Sequence, residues 1–576
     1  MDDSEERGSF LLSEDAAENI DSVFAQIGFG RWQLIQMAAA MLSYAALAPG
    51  LIGSTLTNAP IAYRCGDDDI IYESSRPFDN ECHYKYDSGN ATFLNETGTA
   101  NVSVSCSQPT IASSYNASAM IIESNTSSPP CVAWDYDNTV FTSTVSMEWG
   151  LICENAWLSS LYQMVFSFGS MIGDVVGGAM GDRLGRRAAV RYGSLVLLAS
   201  VLGIGLAPFY SIVLMCRLIM GLTTSSIIYP TYNLVMEITP TSQRTVIGMV
   251  LGAPYSIGVM VFAALGYFLR DWRTLHLASS VFAFLLLTVS WAVDESPRWL
   301  AQNGYLDEAK EVLRRAADYN KATLPAASNL HQILFKLADE GKTYLKTETS
   351  CTSTLELVFS NLPMAVITLV TPLTWFLMAV VYLGIPLNVN NFGGNPFIYV
   401  ALTGLMELLP AIVGIIFSKR FSRVPVMAFT FFSAGLCSLL VLAVTEDVWW
   451  LRWILIMAAM ELISTSYTMS YVWAPELYPT VIRSRGCSSC ALGGHLGFFV
   501  TPFITDVVAQ QVWWLPNMIL GMCGVLGGVL VCLLPETKGL DLCETVQDVK
   551  ERSKAGKLNR AAELYNTDVH SDLVSA

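Results

Sequence analysis

Long apolar runs separated by short polar breaks cover most of the chain. Runs at 32–56, 194–207, 275–293, 364–382 and 525–534, the last with an apolar approach, hold few charges. A helix of about 20 such residues crosses a hydrocarbon core of roughly 30 Å, so the pattern predicts about twelve membrane helices. Two long stretches interrupt it: residues 63–150 are polar, and residues 294–363 are charged and rich in Lys. Within the second, Ala309, Val312, Leu313 and Ala316 recur at helical spacing, which predicts a surface helix on a linker.

The expected fold is an all-α membrane protein of about twelve transmembrane helices in two halves of about six each. Its parts are a tail at 1–30, a first half at 31–293 that includes a large loop at 57–153, a linker at 294–362, a second half at 363–535 and a tail at 536–576. An internal repeat supports the division. Glu237-Ile-Thr-Pro240-Thr241-Ser-Gln-Arg244 and Glu476-Leu-Tyr-Pro479-Thr480-Val-Ile-Arg483 share E-x-x-P-T-x-x-R. Glu295-Ser296 answers Glu536-Thr537, and Arg183 and Arg186 answer Arg420 and Arg423. All these pairs are displaced by about 240 residues, the mark of two halves related by an axis along the membrane normal.

Composition agrees with the pattern. Hydrophobic residues make up 52% of the 576 and charged residues 14%, against roughly 25% charged in soluble domains. The net charge of −16 adds little, because much of the acid lies outside the spans, in Asp2, Asp3, Glu5, Glu6, Glu14, Asp15 and Glu18 and in Asp67, Asp68 and Asp69. Those acids stand where the n-region of a cleavable signal peptide would be basic, so the first span is expected to serve as the insertion signal. Lys and Arg fix the orientation. Arg183, Arg186, Arg187 and Arg191 share one short loop, and Lys419, Arg420 and Arg423 another. Arg298, Lys310, Arg314, Arg315, Lys321 and Lys336 sit in the linker. Those loops read as cytoplasmic, with both termini.

The polar loop carries five sequons, at Asn90, Asn95, Asn101, Asn116 and Asn125, and is expected to be glycosylated outside the cytosol. Cys65, Cys82, Cys106 and Cys131 lie in it and Cys153 at its edge. They suit an oxidised loop, with the odd count leaving one thiol over and the connectivity open. Cys216, Cys437 and Cys490 lie in spans and are expected to pack. The sequence shows no P-loop, no Cys/His spacing for a metal and no nucleophile–base constellation. It is therefore read as no enzyme, with no cofactor, no metal and no nucleic-acid partner. The partner these apolar runs imply is the lipid bilayer.

At the junction of the second and third spans stands Gly178-Ala-Met-Gly181-Asp182-Arg183-Leu-Gly185-Arg186-Arg187. Glycines allow a tight loop, and Asp182 and the arginines can bond helix ends and acids of the other half. With Glu237, Arg244, Glu476 and Arg483 they form a candidate conformational latch.

This decapeptide resembles the signature of the major facilitator superfamily. Further matches narrow the resemblance to the organic cation, anion and zwitterion (carnitine) transporter family. They are Gly30-Arg31-Trp32-Gln33, Trp134-Asp135-Tyr136-Asp137, Glu148-Trp149-Gly150-Leu151-Ile152-Cys153, Arg270-Asp271-Trp272-Arg273, Glu295-Ser296-Pro297-Arg298-Trp299-Leu300, the Glu476–Arg483 segment and Leu534-Pro535-Glu536-Thr537-Lys538-Gly539. The resemblance implies a carrier that works by alternating access, with substrate bound between the halves, and a plasma-membrane location is expected.

Charges inside a membrane are costly and mark function. Arg217 and Glu237 match the family's arginine and glutamate around the fourth span. Glu407 in Gly404-Leu-Met-Glu407-Leu-Leu-Pro410 resembles the acid of span eight, with two residues before the proline where the family has one. His495 stands where, counted from Arg483 and Gly486, cation carriers have Asp and anion or carnitine carriers Arg. Tyr232, Trp375 and Tyr382 match aromatic positions of the family, with Tyr229, Tyr255, Tyr467 and Tyr471 as neighbours by helix. The candidate substrate residues are thus Tyr232, Trp375, Tyr382, Glu407 and His495. Asp174 and Glu461 match no family position and read as proton or cation sites, or as acids paired with Arg452 or another group. Ile412 replaces a lysine common in anion carriers, which favours organic cations or zwitterions over anions. A non-transporting receptor is the other alternative, because Phe421-Ser422-Arg423-Val424-Pro425 departs from a Gly-Arg-Arg-like run.

Overall fold

A computed structural model describes residues 19–59, 134–152, 155–346, 362–388, 395–479, 482–509 and 514–538, with short pieces at 61, 63–65, 71–73, 83–85, 512, 543 and 547–551. The five sequon asparagines, the side chains of Cys65, Cys82, Cys106, Cys131 and Cys153, and linker residues 347–361 lie outside the described residues.

The first half runs through α1 (Ile20–Ile27), α2 (Arg31–Leu51), α3 (Ser54–Thr57), α4 (Val145–Trp149), α5 (Ala156–Leu184), α6 (Arg186–Leu206), α7 (Tyr210–Ile238), α8 (Arg244–Val250), α9 (Ala253–Leu269) and α10 (Trp272–Ser290). The linker holds α11 (Pro297–Gln302), α12 (Leu306–Asn320) and α13 (Ala327–Lys346). The second half runs through α14 (Leu362–Leu387), α15 (Pro396–Met406), α16 (Leu409–Arg420), α17 (Arg423–Leu440), α18 (Trp449–Leu477), α19 (Arg483–Pro502), a π-turn at Phe503–Val508 and α20 (Leu515–Cys532). Among the described residues, 10 helical stretches are long and apolar enough to cross a membrane. The bundle also holds α18, with 29 residues, and the broken pair α15–α16. Pro410 causes the break: its ring clashes with the carbonyl four residues back, at Met406, and it offers no N–H. The chain turns at Glu407 and Leu408.

Outside the bundle the fold is not wholly α. Tyr63–Cys65 pairs antiparallel with Trp134–Tyr136, and Ile71–Glu73 with His83–Lys85. These short ladders satisfy backbone groups where the chain is too polar and β-branched or aromatic to continue as a membrane helix.

Small residues set the closest packing. Gly169, Gly173, Gly177 and Gly181 recur every fourth position on α5, and α7 lies against them so tightly that a Cβ would fall 2.3 Å from the Leu218 carbonyl and 2.3 Å from that of Leu222. Apolar tails offer no hydrophobic drive between membrane helices, so such stripes supply the contact. The repeat appears again in the packing. α2 on α9, α6 on α10 and α5 on α7 are answered by α14 on α19, α17 on α20 and α16 on α18. The halves meet where α5 crosses α19 and where α9 crosses α15, two contacts that the repeat exchanges. On the large-loop side Phe397 of α15 packs against Phe141 at 5.2 Å and Tyr267 at 5.9 Å between ring centroids.

The linker helices are fixed to the first half. Asn320 accepts from Trp32 N at 3.1 Å and donates to Gln33 Oε1 at 2.8 Å, while Arg315 pairs with Asp294 at 3.1 Å.

Candidate functional site

Two regions bring the sequence-marked residues together: paired charge knots on the linker side, and a cavity between the halves.

In the first knot, the N-terminus of α6 needs acceptors for its free N–H groups. Glu295 supplies them, taking Arg186 N at 2.8 Å and Arg187 N at 3.0 Å. The Arg186 side chain is buried and donates to Gly181 O at 2.8 Å and Glu237 at 3.0 Å, with Asp182 at 3.1 Å. In the second knot, Glu536 takes Arg423 N at 2.9 Å and Val424 N at 3.0 Å at the start of α17, and Arg423 reaches Glu476 at 3.3 Å. The matching segments of the repeat thus build matching caps. Arg244 donates to Met236 O and Thr239 O at 3.1 Å each, and Arg483 to Tyr478 O at 3.3 Å. Arg244 and Arg298 also both pair with Asp21 of α1, a partner the sequence did not mark.

Each knot closes within its own half; Arg186 here pairs with Asp182 and Glu237 of the first half rather than with an acid of the second. Arg183 is exposed, and Gly178 has open space around it. Burial pushes the Glu295 carboxyl above its usual range, against bonds from Ser296, Arg186 and Arg187. At Glu536 burial also pushes upward, but backbone bonds from Lys538, Arg423, Val424 and Thr537 outweigh it and hold the carboxyl below that range.

Arg217 lies elsewhere, fully buried within the first half. It donates to Gln163 at 2.7 Å and to the Tyr162 and Gly50 carbonyls at 3.2 Å each, with its guanidinium 4.1 Å over the Tyr162 ring. This is a structural role. Arg452 donates to Val444 O at 2.7 Å and so does not pair with Asp174 or Glu461, while Glu461 accepts from Thr465 at 3.3 Å.

The cavity is aromatic. Tyr382 stacks on Tyr467 at 4.8 Å, Trp375 meets Tyr471 edge-on at 5.1 Å, and Tyr467 and Tyr471 lie 5.4 Å apart. Phe498 joins them, 6.2 Å from Tyr382 and 6.0 Å from His495. Three expected residues, Trp375, Tyr382 and His495, therefore belong to one cluster. Tyr232 sits across from it, with Tyr44 of α2 beside it. Tyr44 in turn faces Tyr229 and Tyr471, which links the two halves of the lining. Tyr471 is 54% exposed although it lies among these rings, so open space adjoins them. Glu407 lies at the helix break. The Tyr382 hydroxyl approaches it without completing a hydrogen bond, and both carboxylate oxygens are buried and unsatisfied. Asp174 lies near Tyr229, Tyr467 and Tyr471, and its carboxylate meets the His495 ring across the halves.

Tyr44 and Phe498 were missed by sequence reasoning. Phe498 was within reach, since it stands one helical turn from His495 on the same face. Tyr44 carried no signal beyond a hydroxyl in an Ala-rich span. Among the described residues no His, Cys, Asp and Glu group is arranged to hold a metal.

A family model described as "Sugar (and other) transporter" matches residues 90–548. The chain is 32% identical over 460 residues to solute carrier family 22 member 3 of Rattus norvegicus, covering 78% of this chain and 80% of that one. It is 29% identical over 463 residues to the organic cation transporter protein of Drosophila melanogaster, covering 79% and 83%. Among solved structures it is similar to the xylose transporter XylE from E. coli in a partially occluded inward open conformation, with a TM-score of 0.56, 15% identity, and coverage of 90% of this chain and 100% of that one. At that identity the likeness shows the fold alone.

Proposed function

The chain belongs to the organic cation, anion and zwitterion transporter family of the major facilitator superfamily, and from that premise we propose which ions it carries and how it lies in its membrane. It is an integral membrane transporter of small organic ions working by alternating access, not an enzyme.

The cargo is an organic cation or a zwitterion with an ammonium group. One observation carries this reading: the cavity between the halves presents the carboxylates Glu407 and Asp174 among the rings of Tyr44, Tyr229, Trp375, Tyr382, Tyr467 and Tyr471. Aromatic faces and a carboxylate attract an ammonium ion and repel an organic anion. Glu407 fits the role because a buried carboxylate with unsatisfied oxygens gains from a bound cation. The Drosophila melanogaster relative named an organic cation transporter protein agrees with it.

The helix α18 and the broken pair α15–α16 complete a set of about twelve spans. The basic linker side faces the cytosol, with both termini, and the sequon-bearing loop faces outward in the plasma membrane. The packed large-loop side and the separately closed knots then make this an inward-facing state.

Uptake of labelled tetraethylammonium, carnitine and p-aminohippurate into liposomes holding the purified protein tests the assignment. Saturable tetraethylammonium uptake is expected, reduced about tenfold or more by Glu407→Gln. Saturable p-aminohippurate uptake without cation uptake would establish the anion alternative, and absence of all three with the protein correctly inserted would point to a receptor.

A further inference from the structure

Asp174 is on α5 of the first half and His495 on α19 of the second, each in the middle third of its helix. His495 Nε2 meets Asp174 Oδ2 at the place where these helices cross, with the two side chains 17% and 14% exposed. The pair therefore ties the halves together at the depth where substrate binds.

The titratable groups facing it are phenols: Tyr229 of α7, Tyr467 and Tyr471 of α18, and Tyr44 of α2 beside Tyr229 and Tyr471. From α14, the Trp375 ring lies where a Cβ on Gly494, next to His495, would meet it at 3.5 Å. Asp506 of the π-turn is engaged with Thr505 at 3.2 Å instead. Asp174 is thus a carboxylate ringed by aromatic side chains, the arrangement that attracts an organic ammonium group by charge and by the ring faces together. In this structure an imidazole holds that place. His495 Nδ1 is buried with no hydrogen-bond partner, so the ring's polar neighbour is the Asp174 carboxylate beside Nε2. If a substrate ammonium takes the carboxylate, an imidazolium there loses its counter-ion and keeps a buried N–H unsatisfied.

We propose that Asp174 is a cation site occupied in alternation by protonated His495 and by the ammonium group of the substrate, so that the carrier exchanges one proton for one monovalent organic cation. As the cation pairs with Asp174, the imidazolium passes its proton to water on the side to which the cavity is open. On the other side the cation leaves and His495 takes a proton from water, so charge and protons balance over the cycle. The inference rests on the organic-cation reading and names the group in that cavity which couples cation to proton.

The test uses the full chain in liposomes containing a pH-sensitive dye, with labelled tetraethylammonium outside at pH about 7.5 and an interior at pH about 5.5 or about 7.5. An acid interior is expected to speed uptake about fivefold or more, with the dye reporting about one proton leaving per cation entering. Asp174→Asn is expected to lower uptake about tenfold or more and to silence the dye, with Asp174→Glu recovering part of both. His495→Gln, scaled to its own rate without a gradient, is expected to respond less than about twofold to the acid interior. Should Asp174→Asn fold poorly, the Glu variant and His495→Gln decide. Wild-type uptake by Asp174→Asn, or a wild-type gradient response in His495→Gln, overturns the proposal. Wild-type protein that carries tetraethylammonium indifferently to the gradient overturns the exchange but leaves the organic-cation reading standing; wild-type protein that carries none of it overturns both.

Discussion

The two linker-side knots are built from the same parts and are held differently. In the first, the chain enters α6 through Gly185 at φ +93°, and a Cβ there would fall 2.4 Å from the Glu295 carboxylate. In the second it enters α17 through Ser422 at φ −68°, ψ 153°, which any residue adopts. The sequence reads as degenerate at 421–425 because the second entry has no left-handed turn for a glycine to make. The arginines differ in what their removal leaves behind. Glu237 has one oxygen on Arg186 and the other buried and unsatisfied, whereas Glu476 also accepts from Thr537 at 2.5 Å. The first knot is the more finely constrained, and the second has a spare partner.

Substitutions can break this difference. Arg186→Ala strands Glu237 and is expected to cost about 3–5 kcal/mol, against about 1–3 kcal/mol for Arg423→Ala, where Thr537 remains. Thermal melts of the purified variants measure both, and equal losses would mean the knots are equivalent after all. Gly185→Ala is expected to destabilise by about 1–3 kcal/mol through its backbone angle and the displaced carboxylate. Ser422→Gly should change the melt by only a few tenths of a kcal/mol.

The capping glutamates are expected to respond to pH with opposite sign. Glu295 is held above its ordinary 4.5, so the fold takes up a proton there: its contribution is fully present below 4.5 and is lost as pH rises through the folded value. Glu536 is held below 4.5, so its contribution is present above that value and is lost as pH falls through the folded one. Wild type should accordingly lose stability relative to Glu295→Gln on the alkaline side of 4.5, and relative to Glu536→Gln on the acid side. Melts of both variants across that range would show parallel curves if the two caps were alike. The smallest effect is expected of Asp182→Asn. Its side chain is 72% exposed, and such a pair contributes less than about 0.5 kcal/mol, so a larger loss in the melt would mean a buried role.

Much of this was legible along the chain because it is local or repeated. Span lengths follow from apolar runs, and the caps Glu295 and Glu536 were marked as a pair by their common offset. Glu407 was singled out as an intramembrane acid, and its odd spacing from Pro410 is where α15 and α16 part. What escaped were contacts between distant segments. Asp174 was visible as a costly charge with Arg452 as one candidate partner, but its meeting with His495 depends on how two halves cross, which no local pattern encodes. Asp21 was not marked at all, yet it bridges Arg244 and Arg298. The strand pairs before the second span escaped for the same reason, since Tyr63 and Tyr136, which pair, stand far apart along the chain.

The bolt at Asn320 has a mechanical consequence. Because it joins the end of α12 to the start of α2, the first half carries the linker helices as a keel. In the frame of the keel the second half is the rotor, and optical reporters on α12 and α17 would record its swing directly as a change in their separation.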